Sequence, residues 1–86
     1  MSSGVSTGGA RIVTLYGRPG CHLCDEAAAE LQPLLAEVGA TLVTVNIEED
    51  DALHRAHLER IPVILVDGTE ICHFFVDEPA IRAALS

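Results

Sequence analysis

Apolar and polar residues follow two different periods along this chain, and each change of period marks an element. Arg11 to Tyr16 (RIVTLY) is rich in Ile, Val, Leu and Tyr and predicts a buried strand. From His22 to Val38 the apolar positions fall at Leu23, Ala27, Leu31, Leu34, Leu35 and Val38, the spacing of a helix with one apolar face. Pro33 lies inside that segment and has no N–H to donate, so a kink or a split into two helices is expected. Gly39 supplies a C-terminal stop. Thr41 to Ile47 (TLVTVNI) alternates through Leu42, Val43, Val45 and Ile47 and predicts a second strand. Asp50 or Asp51 then caps a short helix to about Arg60, with Leu53, Ala56 and His57 on one face. Ile61 to Val66 (IPVILV) predicts a third strand, and Asp67-Gly68 is a hairpin signal that returns the chain as a fourth strand, Glu70 to Phe75. Asp77, Glu78 and Pro79 form the cap and first turn of a last helix ending at Leu85, with Ile81 and Leu85 one turn apart.

The predicted order is therefore β-α-β-α-β-β-α. Two strands joined by a helix run parallel with a right-handed crossover, and the last two form an antiparallel hairpin. The result is an α/β domain with a four-stranded mixed sheet and helices on both faces. Residues 1–10 are rich in Ser, Gly and Thr and read as a flexible tail, which leaves 11–86 as a single domain. With one Tyr and two Phe, the core must be filled by Leu, Ile, Val and Ala. A net charge of −8 argues against nucleic acid or an anionic membrane surface as partner. No apolar run approaches the roughly 20 residues of a membrane span, and the first residues lack the pattern of a signal peptide. A cytoplasmic location and a monomer are expected.

The chemistry concentrates in Gly17 to Cys24, Gly-Arg-Pro-Gly-Cys-His-Leu-Cys, which joins the first strand to the first helix. Cys21 and Cys24 form a Cys-x-x-Cys pair, the signal for dithiol redox chemistry in a chain of this kind. At a helix start the first N–H groups lack intrahelical partners and the macrodipole is positive, so a thiolate is stabilised. The Cys21 thiol is expected below the free value of about 8.5. Cys24 lies one turn on and can reach back to it. His22, if protonated, and Arg18 add positive charge, whereas Asp25 and Glu26 oppose it. The count of three cysteines is odd, so a fully paired secreted framework is not expected.

The element order, with Cys-x-x-Cys at the first helix and Ile61-Pro62 opening the third strand, resembles the thioredoxin fold, and in size a glutaredoxin. The segment from Gly17 to Ala27, together with Arg60-Ile61-Pro62-Val63, is similar to bacterial glutaredoxin-like proteins. This resemblance implies a thiol–disulfide oxidoreductase with Cys21 as nucleophile and Cys24 as resolving thiol. It also implies a cis Ile61-Pro62 bond beside them, with the Ile61 backbone pairing to substrate. Arg18 stands where a lysine often precedes the first cysteine, and a guanidinium can hold a carboxylate. Asp77 stands near the aspartate that receives glutathione, but the preceding Gly-Gly pair falls at Cys72-His73, which carry side chains. Substrate-binding candidates are thus Arg18, His22, Ile61, Pro62 and Asp77. No bound cofactor is implied; the substrate is a protein or small-molecule disulfide, and the reductant is glutathione or a thioredoxin-reductase-type enzyme.

Two other readings stay open on the residues alone. One is a binding module of the same fold without turnover, suggested by the missing Gly-Gly pair. The other is a metal or iron–sulfur protein. A four-ligand zinc site would need more donors, from Cys72, His73, His54 or His57, and adjacent Cys72 and His73 point to opposite faces of a strand. Cys72 reads as a buried thiol, His54 and His57 as ordinary helix residues, and Glu48 to Asp51 as a solvated helix entry. Phe74 and Phe75 are expected to supply core and edge packing, with one of them facing inward.

Overall fold

Strand β1 (Ile12–Gly17) lies inside a sheet of order β2-β1-β3-β4 in the computed structural model, which describes residues 11–86. The expected flexible tail falls on residues 1–10, outside the described residues. β1 pairs in parallel with β2 (Thr41–Asn46) and antiparallel with β3 (Val63–Val66). β3 pairs antiparallel with β4 (Thr69–His73). Helix α1 (His22–Val38) joins β1 to β2, α2 (Asp51–His57) precedes β3, and α3 (Glu78–Leu85) follows β4.

The two faces of the sheet carry two clusters, as the period-two alternation requires. On one face Val13 and Leu15 stand opposite Val66 and Ile64. Ala27, Leu31, Leu34 and Leu35 of α1 and Ile81 of α3 close over them. On the other face Tyr16, Val63 and Leu65 pack with Leu53 of α2, and Ile47, Ile61 and Cys24 complete the cluster. Both clusters are built almost wholly from aliphatic side chains, and no polar side chain among the described residues is fully buried.

Several local expectations change. α1 runs unbroken through Pro33. Pro33 and Ala29 both lie on the exposed side, so the Ala29 carbonyl left without its donor is open to water. Leu23 and Val38, assigned to the apolar face, are exposed. β2 stops at Asn46, whose side chain accepts the Glu48 N–H at 2.9 Å and turns Ile47–Glu49 into a short 3-10 turn. Ile47 is thereby fully buried off the end of the strand rather than within it. Asp50 is the cap of α2, accepting from the N–H groups of Ala52 and Leu53. The helix ends at His57, short of Arg60, because Arg60 and Ile61 both donate to the His57 carbonyl. Ala56 is exposed. The third strand begins at Val63 rather than Ile61, after the cis Ile61-Pro62 bond.

β4 ends at His73 because Phe74 adopts φ +69° and sends its N–H to the Pro62 carbonyl at 2.8 Å. Neither Phe74 nor Phe75 enters the core, contrary to the packing role expected of them. A register shift between Ile64 and Leu65 leaves Ile71 as the extra residue and places Cys72 opposite Ile64. The Asp67-Gly68 turn forms as expected, with positive φ at both residues.

Asp67 also ties the hairpin to the rest of the fold. Its carboxylate accepts the Ile12 N–H at 3.1 Å and pairs with Arg11, whose guanidinium donates to the carbonyls of Ala84 at 2.9 Å and Leu85 at 3.2 Å. The Ile12 N–H, and after it the Arg11 guanidinium, hold the Asp67 carboxyl below its ordinary value. A carboxyl depressed in the folded state stabilises it above the unfolded value and loses that effect as pH falls through the folded one. Asp67→Asn, which keeps the left-handed turn, should therefore lower Tm at neutral pH and lose that difference below about pH 4. Thermal unfolding from pH 7 to pH 2 tests this, and a difference constant with pH would contradict it.

Candidate active site

β1 ends at the buried Gly17, and Arg18-Pro19-Gly20 turn the chain into α1, with Gly20 at φ +78°. The Cys21 N–H donates to the Arg18 carbonyl at 3.3 Å, which closes that turn. Cys21 itself is the N-cap of α1, in extended conformation. Its Sγ accepts the Cys24 N–H at 3.1 Å, where a serine or aspartate oxygen ordinarily serves. A sulfur thus occupies one of the free amides of the helix start, the position that favours negative charge. The Cys21 and Cys24 Cα atoms are 5.2 Å apart and their sulfurs are joined as a disulfide. Cys21 is half-buried, whereas Cys24 is only 6% exposed and sits in the cluster of Ile47, Ile61 and Val63.

Gly17 packs closely against that arrangement, a part that the strand and helix pattern does not show. A Cβ on Gly17 would lie 3.0 Å from Cys24 Sγ and 3.1 Å from Cys24 Cβ. A side chain at position 17 would therefore crowd the inner cysteine, which would have to give way by a few tenths of an ångström. The signal available in the sequence was the glycine itself, placed where a strand meets a Cys-x-x-Cys helix.

The other candidates divide. Ile61 is buried against Cys24, and its N–H already donates to the His57 carbonyl at 3.1 Å, which leaves its carbonyl as the backbone group without a partner among the described residues. Pro62 is fully buried, with its carbonyl taken by Phe74. Arg18 lines a groove of about 270 Å3 with Cys24, Thr44 and Asn46, its guanidinium 3.7 Å from Glu48. His22 is 85% exposed and pairs with Glu26 at 2.6 Å, one turn along the helix. Asp77 is the cap of α3, accepting the Ala80 N–H at 3.2 Å. The structure thus gathers Cys21, Cys24 and Ile61, with Arg18 beside Cys24 and Pro62 following Ile61 through the cis bond, and gives His22 and Asp77 local helix roles.

Cys72 belongs to the cluster under α1 and α3, separate from the one that holds Cys24. Burial pushes its thiol up, the Asp77 backbone N–H opposes this, and the Asp77 and Glu70 carboxylates add to the rise. Among the described residues no three His, Cys, Asp or Glu side chains converge as a metal-holding group, and no helix is long and apolar enough to cross a membrane. His57 departs from an ordinary helix residue: its ring lies 5.0 Å from that of Tyr16, and its Nδ1 is buried without a partner.

The model of the glutaredoxin-like domain (DUF836) matches residues 12–86. The chain belongs to that family. Among proteins similar to this glutaredoxin-like chain is the uncharacterized protein Rv0508 of Mycobacterium tuberculosis, 32% identical over 79 residues that cover 86% of this chain and 81% of that protein. The solution structure of Ne2328 from Nitrosomonas europaea superposes with a TM-score of 0.83 at 36% identity, covering 93% of this chain and 96% of that one. A mutant thioredoxin from Halobacterium salinarum superposes at 0.62 with 18% identity, over 87% and 71% of the two chains, a likeness of fold alone. The glutaredoxin-like domain here therefore has the thioredoxin fold.

Gly17→Ala should displace Cys24 and lower stability by about 1–3 kcal/mol, the usual cost of overpacking. It should also slow closure of the Cys21–Cys24 disulfide. Thermal unfolding together with the rate of disulfide formation measures both, and wild-type behaviour in each would contradict the steric argument.

Proposed function

We propose that this protein is a thiol–disulfide oxidoreductase in which Cys21 attacks and Cys24 resolves. The observation that carries the reading is the Cys24 N–H directed at Cys21 Sγ, with the outer sulfur half-buried and the inner one enclosed. Family membership and the thioredoxin fold support it.

The reaction begins from the dithiol. The Cys21 thiolate, stabilised by the helix-start amide, attacks one sulfur of a substrate disulfide and expels the other as a thiolate. The Cys24 thiolate then attacks Cys21 Sγ and expels the second substrate thiolate. Two electrons pass to the substrate, and the two protein thiol protons end on the two released thiols through solvent. In the disulfide Cys24 lies against Cys21, with Cα atoms 5.2 Å apart, so the second step is intramolecular and needs no large movement. The Ile61 carbonyl, without a partner among the described residues, is the backbone group that would align an incoming chain, and Arg18 would meet an anionic group beside Cys24. Glutathione and a thioredoxin-reductase-type enzyme are the two reductants proposed to restore the dithiol.

Cys21→Ser should abolish reduction of a small disulfide such as bis(2-hydroxyethyl) disulfide. Cys24→Ser should stop after one step and hold one substrate half as a mixed disulfide, visible by intact mass. Turnover retained in Cys21→Ser would contradict the assignment.

A further inference from the structure

Beside the dithiol the chain leaves apolar bulk uncovered. Leu23, between the two cysteines, is 41% exposed, Phe74 is 40% exposed and Phe75 is 71% exposed. With Val76 they line a groove of about 250 Å3, and Glu26 and Glu30 of α1 form its acidic side. The only two phenylalanines of the chain are both here, although its core is short of aromatic bulk.

The placement of Phe74 is held against local preference. It has φ +69°, the left-handed region that a bulky residue rarely adopts. The Phe74 N–H to the Pro62 carbonyl fixes that conformation, and the ring gains one edge contact with His73, at 4.8 Å between centroids. Glycine would sit there without strain, so the fold holds an unburied ring in a conformation unfavourable to it, in a groove shared with Leu23, the residue between the two cysteines.

Charge selects the occupant. Glu30 makes no ion pair among the described residues, Glu26 is paired only with His22, and Asp77 and Glu78 follow Val76 directly. A second copy of this chain, at net charge −8, would set acid against acid. We propose that the groove seats the apolar side chain next to the reactive cysteine of a polypeptide substrate, with a neighbouring Lys or Arg of that substrate meeting Glu26 and Glu30. This rests on the oxidoreductase reading and names its substrate class: polypeptide disulfides whose cysteine lies between apolar and basic residues.

Two synthetic peptides test it, Leu-Phe-Cys-Arg and Ser-Ser-Cys-Glu, each with its cysteine in mixed disulfide with 2-nitro-5-thiobenzoate. Attack by Cys21 on the peptide sulfur releases the coloured thiolate, and Cys24 then releases the peptide thiol. The reduced protein should react about tenfold faster with the apolar-basic peptide, as expected for burying part of one large apolar side chain. Phe75→Ser and Phe74→Gly should bring the two peptides to within about twofold, while Glu30→Gln should remove part of the advantage and part of its dependence on salt. In all three variants the rate with bis(2-hydroxyethyl) disulfide should be unchanged. Equal rates with the two peptides in the wild-type protein, or an undiminished preference in both phenylalanine variants, would overturn the proposal. So would sedimentation showing a wild-type dimer that Phe75→Ser disperses, which would assign the groove to a second copy. Failure of the wild-type protein to reduce even the small disulfide would overturn the oxidoreductase reading itself, and this inference with it.

Discussion

The Cys24 N–H meets Cys21 Sγ at 3.1 Å, and this contact requires a strand to end where a helix begins. β1 delivers the chain to the helix start from inside the sheet, where pairing on both edges fixes its position. Four residues then suffice for the turn, because Gly20 accepts positive φ and Gly17 has no Cβ to strike Cys24. The outer cysteine becomes the cap of α1, and the inner one is carried one turn down into the aliphatic cluster beneath. Burial, access and electrostatic environment of the two sulfurs thus follow from one junction. A serine at position 21 would cap the helix equally well; only sulfur allows the capping atom to exchange bonds with the residue that it caps.

The surroundings refine that chemistry. His22, next to Cys21 in sequence, turns along the helix to Glu26 and is spent on a surface pair. Arg18 is shared with Glu48, so the cation beside the groove at Cys24 is partly neutralised. Cys72, whose thiol is pushed up by partial burial, lies in the other cluster, apart from Cys21 and Cys24. The stretch from His57 to Phe74 supports the second side of the site. The His57 carbonyl takes the Ile61 N–H, and the Pro62 carbonyl takes the Phe74 N–H, which leaves the Ile61 carbonyl without a partner among the described residues.

Much of this could be read from the residues alone, for identifiable reasons. Order and pairing of the elements followed from periodicity, because both faces of the sheet are covered by short aliphatic patterns with few interruptions. The caps at Asp50 and Asp77 and the turn at Asp67-Gly68 are local interactions, and local sequence specifies them. What could not be read depends on distant neighbours. Pro33 does not break α1 because the carbonyl it orphans faces solvent, a matter of which side of the helix packs. Ile47 is buried because Asn46 turns the chain, which a hydrophobic alternation does not register. Phe74 and Phe75 look like core residues until the Pro62 carbonyl captures the Phe74 N–H and ends the strand. The role of Gly17 depends on its packing against Cys24, whose Sγ would lie 3.0 Å from an added Cβ, and spacing alone does not reveal that.

The most direct measurement is the state of the Cys21–Cys24 pair across a graded glutathione redox series, read by rapid alkylation and intact mass. A two-electron couple predicts one cooperative transition, with about 30 mV per tenfold change in ratio, between a fully alkylated protein and an intramolecular disulfide that leaves only Cys72 labelled. Cys21 and Cys24 alkylated at every potential would contradict the account, because the contact at the head of α1 would then be a helix cap and nothing more.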